Sequence, residues 1–185
     1  MSHLARVVRV VVVLAALGAL LGAGGCGKDR PDWLSKSPFG GRGGKAPANV
    51  LVSMQQAASF DTFNELIYAA GLSRTLQGTG PFTVLAPTDV AFARLRPGQL
   101  DELLQPGNQA ALRELVLYHV VPRKLSREDL QRQAALTTLS GETIQVRPVG
   151  QTVMLNERVQ IFTGDIPASN GVIHALDGVL MPPGK

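Results

Sequence analysis

The sequence predicts an α+β domain, helices first and strands second, carried behind a cleavable leader and a loose tether. Three observations carry that reading. Apolar residues recur at helical spacing from about residue 49 to 131, and short alternating runs split by Gly and Asn turns fill 135 to 176. The first 48 residues show neither period.

The leader occupies residues 1–25. Arg6 and Arg9 precede an unbroken apolar run from Val10 to Leu21, and Gly22-Ala23-Gly24-Gly25 lead to Cys26. A basic start, a short apolar stretch and small residues before a cut site describe a secretory signal peptide. The run is shorter than the ~20 apolar residues that cross a membrane as a helix.

Ala23-Gly24-Gly25-Cys26 resemble the lipobox of bacterial lipoproteins, in which the cysteine is acylated and becomes the mature N-terminus. Ala23 stands where that motif usually has Leu, and small residues at 23 and 25 also suit an ordinary signal peptidase. Cys26 is the one cysteine of the chain, so an exported body has no disulfide, and the thiol is free for lipidation. Two or more acyl chains would anchor the protein stably where one would not. Gly27 follows, where Asp would resemble an inner-membrane retention signal; the expected address is the cell envelope, the outer membrane in a diderm host.

From residue 26 to 48 the chain is rich in Gly, Pro, Ser and basic residues, as in Ser35-Lys36-Ser37-Pro38 and Gly40-Gly41-Arg42-Gly43-Gly44-Lys45. It reads as a disordered linker. The domain then runs over 49–183.

Asn49 caps a helix through Ala57. A second begins at Ser59 or Asp61, buries Phe63, Leu66, Ile67 and Ala70, and ends at Gly71. Phe82–Ala86 is a buried strand stopped by Pro87, after which Thr88 or Asp89 caps a helix with Ala91, Phe92 and Leu95 inward. A short helix lies between Pro97-Gly98 and Pro106-Gly107. The strongest amphipathic segment runs from Asn108 to Val120, with Leu112, Leu115 and Val116 in one stripe. Ser126-Arg127-Glu128-Asp129 resembles a capping box. Strands follow at Ala135–Leu139, Thr143–Arg147, Thr152–Leu155, Val159–Thr163 and Gly171–Leu176, and a mostly antiparallel sheet is expected of them.

The formal net charge of +4 does not belong to the domain. Residues 1–25 carry +2, residues 26–48 carry +3, and residues 49–185 carry −1. A nearly neutral body lacks the basic stripe that binds phosphate backbones, which excludes a nucleic-acid partner.

Three segments then fall in order along the body: Phe82-Thr83-Val84-Leu85-Ala86-Pro87-Thr88-Asp89-Val90-Ala91-Phe92, Leu117-Tyr118-His119-Val120-Val121-Pro122, and Asn170-Gly171-Val172-Ile173-His174-Ala175-Leu176-Asp177-Gly178-Val179-Leu180-Met181-Pro182. Together with Thr138-Leu139-Ser140-Gly141 they resemble the signatures of the fasciclin (FAS1) family. The resemblance implies two small sheets set at an angle beside a cluster of helices. It also implies an extracellular, usually anchored module for adhesion, with no established catalysis. In animal members an Asp-Ile pair and the Tyr-His segment are implicated in integrin binding. Asp165-Ile166 and Tyr118-His119 occupy those places, while the flanks Thr163-Gly164 and Pro167 depart. Only a surface for partners carries over, with a protein or polysaccharide of the envelope or matrix as the expected ligand.

Read on their own chemistry, most motif residues specify the fold. His119 shares the stripe of Leu112, Leu115 and Val116, and His174 alternates with Val172 and Leu176, so both are expected in the core with hydrogen-bonded rings. Thr88 and Asp89 are cap residues, Asn170-Gly171 a turn pair, and Asp177 an acceptor for backbone donors at a strand end. Ile166 either plugs the core or is presented outward beside Asp165. No Gly-x-Ser-x-Gly elbow or His-Glu-x-x-His helix occurs, and Gly78-Thr79-Gly80 precedes a strand, so no catalytic residue, cofactor or metal is expected. A metal would need His119 and His174 to converge with a carboxylate. The alternative function is a small-molecule or glycan binder.

Overall fold

The computed structural model describes residues 48–183. The leader, Cys26 and nearly all of the linker lie outside the described residues.

Among the described residues seven α-helices, α1 Val50–Gln56, α2 Asp61–Ala69, α3 Ser73–Gln77, α4 Asp89–Ala93, α5 Gln99–Leu103, α6 Gln109–Tyr118 and α7 Arg127–Gln131, accompany seven strands. The strands are β1 Phe82–Pro87, β2 Val120–Val121, β3 Ala135–Thr137, β4 Thr143–Val149, β5 Thr152–Leu155, β6 Val159–Ala168 and β7 Gly171–Leu176. Among the described residues no helix is long and apolar enough to cross a membrane.

Local chemistry accounts for the starts and stops. Asn49 caps α1 by accepting the Val52 N–H at 3.0 Å. Thr88 caps α4 through the Ala91 N–H at 3.3 Å. Ser126 and Asp129 form a reciprocal capping box on α7. The helix expected to reach Val120 stops at Tyr118. The His119 ring bonds the Leu115 carbonyl at 2.8 Å, and the His119 N–H tightens onto Val116 O. The chain then leaves as β2.

The strands form one continuous order, β2-β1-β7-β6-β5-β4-β3. This corrects the expectation of two small sheets set at an angle. Pairing is antiparallel except between β1 and β7, which run parallel from Phe82↔Gly171 to Pro87↔Leu176. The sheet curls until its ends approach each other: the Leu139 N–H, just past β3, reaches the Val120 carbonyl of β2 at 2.7 Å.

Two apolar clusters follow from that curl. Helices α1, α2, α4 and α6 pack Leu51, Phe63, Leu66, Phe92 and Leu115 against Val84, Ile173 and Ala175. Inside the curl, Leu85 and Leu176 meet Ile161 of the neighbouring β6 and, from strands farther along the sheet order, Leu136, Ile144, Val153 and Leu155. Strand β7 is buried along its whole length because its alternate side chains serve the two clusters. Gly171 opens it at the closest approach of two backbones, where a Cβ would sit on the Phe82 carbonyl.

Strand β6 runs past Thr163, where the sequence pattern stops, to Ala168. Two register shifts between Ile161 and Ile166 absorb the irregular Thr163-Gly164-Asp165, and Asp165 adopts φ 60°. Gly164 is required there, since a Cβ would lie 2.9 Å from His174 Nδ1.

Candidate functional site

Each polar motif residue has a traceable task. His119 is fully buried; its Nδ1–H donates to Leu115 O, and its Nε2 accepts the Leu180 N–H at 3.1 Å. Those partners fix the neutral tautomer, and burial pushes its pKa down to about 4. His174 is fully buried as well, its Nε2–H donating to Leu125 O at 2.9 Å and its Nδ1 accepting the Asp165 N–H at 3.3 Å. Desolvation lowers its pKa too, opposed by the Leu125 hydrogen bond and by Asp165.

Each ring thus bonds backbone groups of its own neighbourhood. No group of three or more His, Cys, Asp and Glu that could hold a metal occurs among the described residues.

The Asn170 side chain joins three segments. Its Oδ1 accepts the Val50 N–H at 2.8 Å, and its Nδ2 donates to Leu76 O at 2.8 Å and Gly78 O at 2.7 Å. Asp177 accepts the Gln160 N–H at 2.7 Å. Asp89 begins α4, yet its side chain serves a different helix: Oδ1 accepts the Thr62 N–H at the start of α2, at 2.8 Å. The sequence marks Asp89 as a cap, and the fold decides whose.

The residues marked by resemblance for partner contact are divided by burial. Tyr118 is 1% exposed; its hydroxyl donates to Thr143 O and accepts from Asn156 Nδ2, tying α6 to β4 and the β5–β6 turn. With His119 also enclosed, neither presents a surface to a partner. Ile166 plugs the helix-side cluster. Asp165 is exposed, and its Oδ1 accepts the Arg127 N–H at 2.9 Å.

The outer surface offers a different locality. Ala58, Ser59, Thr88, Asp89, Val90, Arg94, Phe162 and Asp177 line an open, mainly apolar cavity of about 420 Å³. Val90 is 63% exposed and Phe162 52%. The cavity forms where the α1–α2 connection, the start of α4, the outward face of β6 and the end of β7 meet. Two signals in the sequence point to it. Phe162 follows inward Ile161 on an alternating strand and so must face out, and Val90 lies off the stripe of Ala91 and Phe92. Nothing in the sequence places the two side by side.

The comparisons agree with this architecture. The Fasciclin domain model matches residues 58–182. Protein sll1483 of Synechocystis sp. is 34% identical over 178 residues, which is 95% of this chain and 97% of that protein. Transforming growth factor-beta-induced protein ig-h3 of Sus scrofa is 34% identical over 134 residues, 72% of this chain but 19% of that much longer protein. A FAS1 domain pair from the insect cell adhesion molecule Fasciclin I superposes with a TM-score of 0.66 at 16% identity, over 74% of this chain and 51% of that one, and supports the fold alone. On sequence and structure together, the chain belongs to the fasciclin domain family.

Proposed function

We propose that this protein is an exported interaction module, tethered by lipid on Cys26 and displayed at the cell envelope, that binds a protein or polysaccharide without chemical turnover. The observation that carries this reading is the convergence of two large exposed apolar side chains, Phe162 and Val90, on one open cavity. Scattered exposed apolar residues need no explanation, but a clustered pair set among polar groups marks an interaction surface. Membership of the fasciclin domain family supports the same direction. So does the use of both motif histidines in the interior, which removes the best acid–base candidates from the surface.

Capture of envelope proteins and polysaccharides on the full chain tests the proposal. Phe162→Asp and Val90→Asp are expected to lose the captured partner while leaving the melting temperature within a degree or two, roughly the effect of surface changes of ±0.5 kcal/mol. Binding is expected to fall little between low and moderate ionic strength, because the domain residues carry a net charge near zero. A steep loss with salt, or capture indifferent to both substitutions, overturns the reading.

The tether has its own test. Metabolic labelling with a fatty-acid analogue is expected to mark the chain and to vanish in Cys26→Ser; an unlabelled wild-type band removes the anchor. A small-molecule or glycan ligand is the second reading, favoured by the cavity's volume, which lies within the usual range for such sites.

A further inference from the structure

We infer that the cavity between α4 and β6 receives a long-stemmed cation, the lysine or arginine side chain of a partner polypeptide. This deepens the proposed interaction role and rests on it. The walls are apolar: Ala58, Val90 and the exposed Phe162 ring offer a surface for a methylene stem. An exposed aromatic ring beside that stem also attracts a positive head group over its face.

The charges settle the sign of the occupant. Asp89, Asp177 and Arg94 all line the cavity. Arg94 is already engaged: its guanidinium donates to Asp177 O at 3.0 Å and stands 4.0 Å from the Asp177 carboxylate. Asp89 is held in place on both sides of its Cα. Its backbone N–H donates to Ser59 O at 3.0 Å, and its Oδ1 accepts the Thr62 N–H. Among the described residues no ion pair gives Asp89 a cation. Two carboxylate residues therefore line the cavity with one guanidinium, and that guanidinium is paired with Asp177. An anionic occupant would meet the surplus negative charge, and a neutral one would leave it unanswered. A lysine or arginine side chain satisfies both the apolar wall and the carboxylate at its end.

The test uses three short peptides, acetyl-Gly-Lys-Gly-amide and its norleucine and glutamate counterparts, titrated into the full chain. The chain carries fluorine-labelled phenylalanine, and the Phe162 line is identified among the six phenylalanines by its loss in Phe162→Leu. The lysine peptide is expected to shift that line, with the norleucine peptide binding about two- to five-fold more weakly, the size of one half-exposed ion pair. The glutamate peptide should be weaker still. Asp89→Asn keeps an acceptor for the Thr62 N–H and should erase the lysine preference, with melting followed in parallel to show that α2 stays capped. Equal binding of lysine and norleucine peptides, or a Phe162 line that none of them moves, overturns the inference. If partner capture still depends on Phe162 in that case, only the cation assignment falls. A lysine-selective cavity on a chain that captures no partner would instead overturn the interaction role.

Discussion

Replacing Asn170 by Ala is expected to lower the stability of the domain by on the order of 3–5 kcal/mol, the cost of leaving buried donors and acceptors unpaired. One side chain closes three bonds: to the first residue of α1, to the end of α3, and to the loop that leads into β1. The Val50 N–H is one of the orphan donors at a helix start, and the Leu76 carbonyl one of the orphan acceptors at a helix end. Both lie in the interior, where water cannot replace the amide. In a thermal melt the loss should appear as a fall in Tm of roughly 10–20 °C. Asn170→Asp makes the argument specific: it keeps the acceptor for Val50 and replaces the two donors with an oxygen facing two carbonyls, so it should be no better than Ala. A drop below about 1 kcal/mol in either variant would show that the three segments are held by packing alone.

Acid is the second large lever. His119 is neutral inside the fold with its pKa near 4, against 6.5 in the unfolded chain. The unfolded state therefore binds the extra proton first. The contribution is fully present above about pH 6.5 and is lost as pH falls toward 4. The total is about 3 kcal/mol, with His174 adding in the same direction. Urea unfolding at pH 7, 5.5 and 4 should show a falling midpoint, and His119→Gln should start lower but fall less steeply. A wild-type midpoint that holds between pH 6.5 and 4 would contradict the buried neutral ring.

The parts of this fold that are legible in the sequence are those set by short-range chemistry. Asn49, Thr88 and the Ser126–Asp129 box announce their helices because a cap needs only its own first turn. The apolar stripe of α6 and the alternation of β5 are equally local. What the sequence withholds is set by segments that meet only in space. The parallel pairing of β1 with β7 joins residues 82–87 to residues 171–176, and no local pattern encodes such a partner. Gly164-Asp165 interrupts the alternation of β6, so the strand reads as ending where it bends. Asp89 is recognisable as a cap residue, but its service to α2 depends on how α2 and α4 are stacked. The cavity is least legible of all, since its walls come from four separate stretches.

The bond between Leu139 and Val120 has a consequence for a protein crowded beside copies of itself. An open β-ribbon invites a neighbour's strand to add to its flank, and the product can grow without limit. Here the flanks of β2 and β3 turn toward one another and are linked by that bond. Little backbone is left over to template a polymer, so copies brought close together can remain separate.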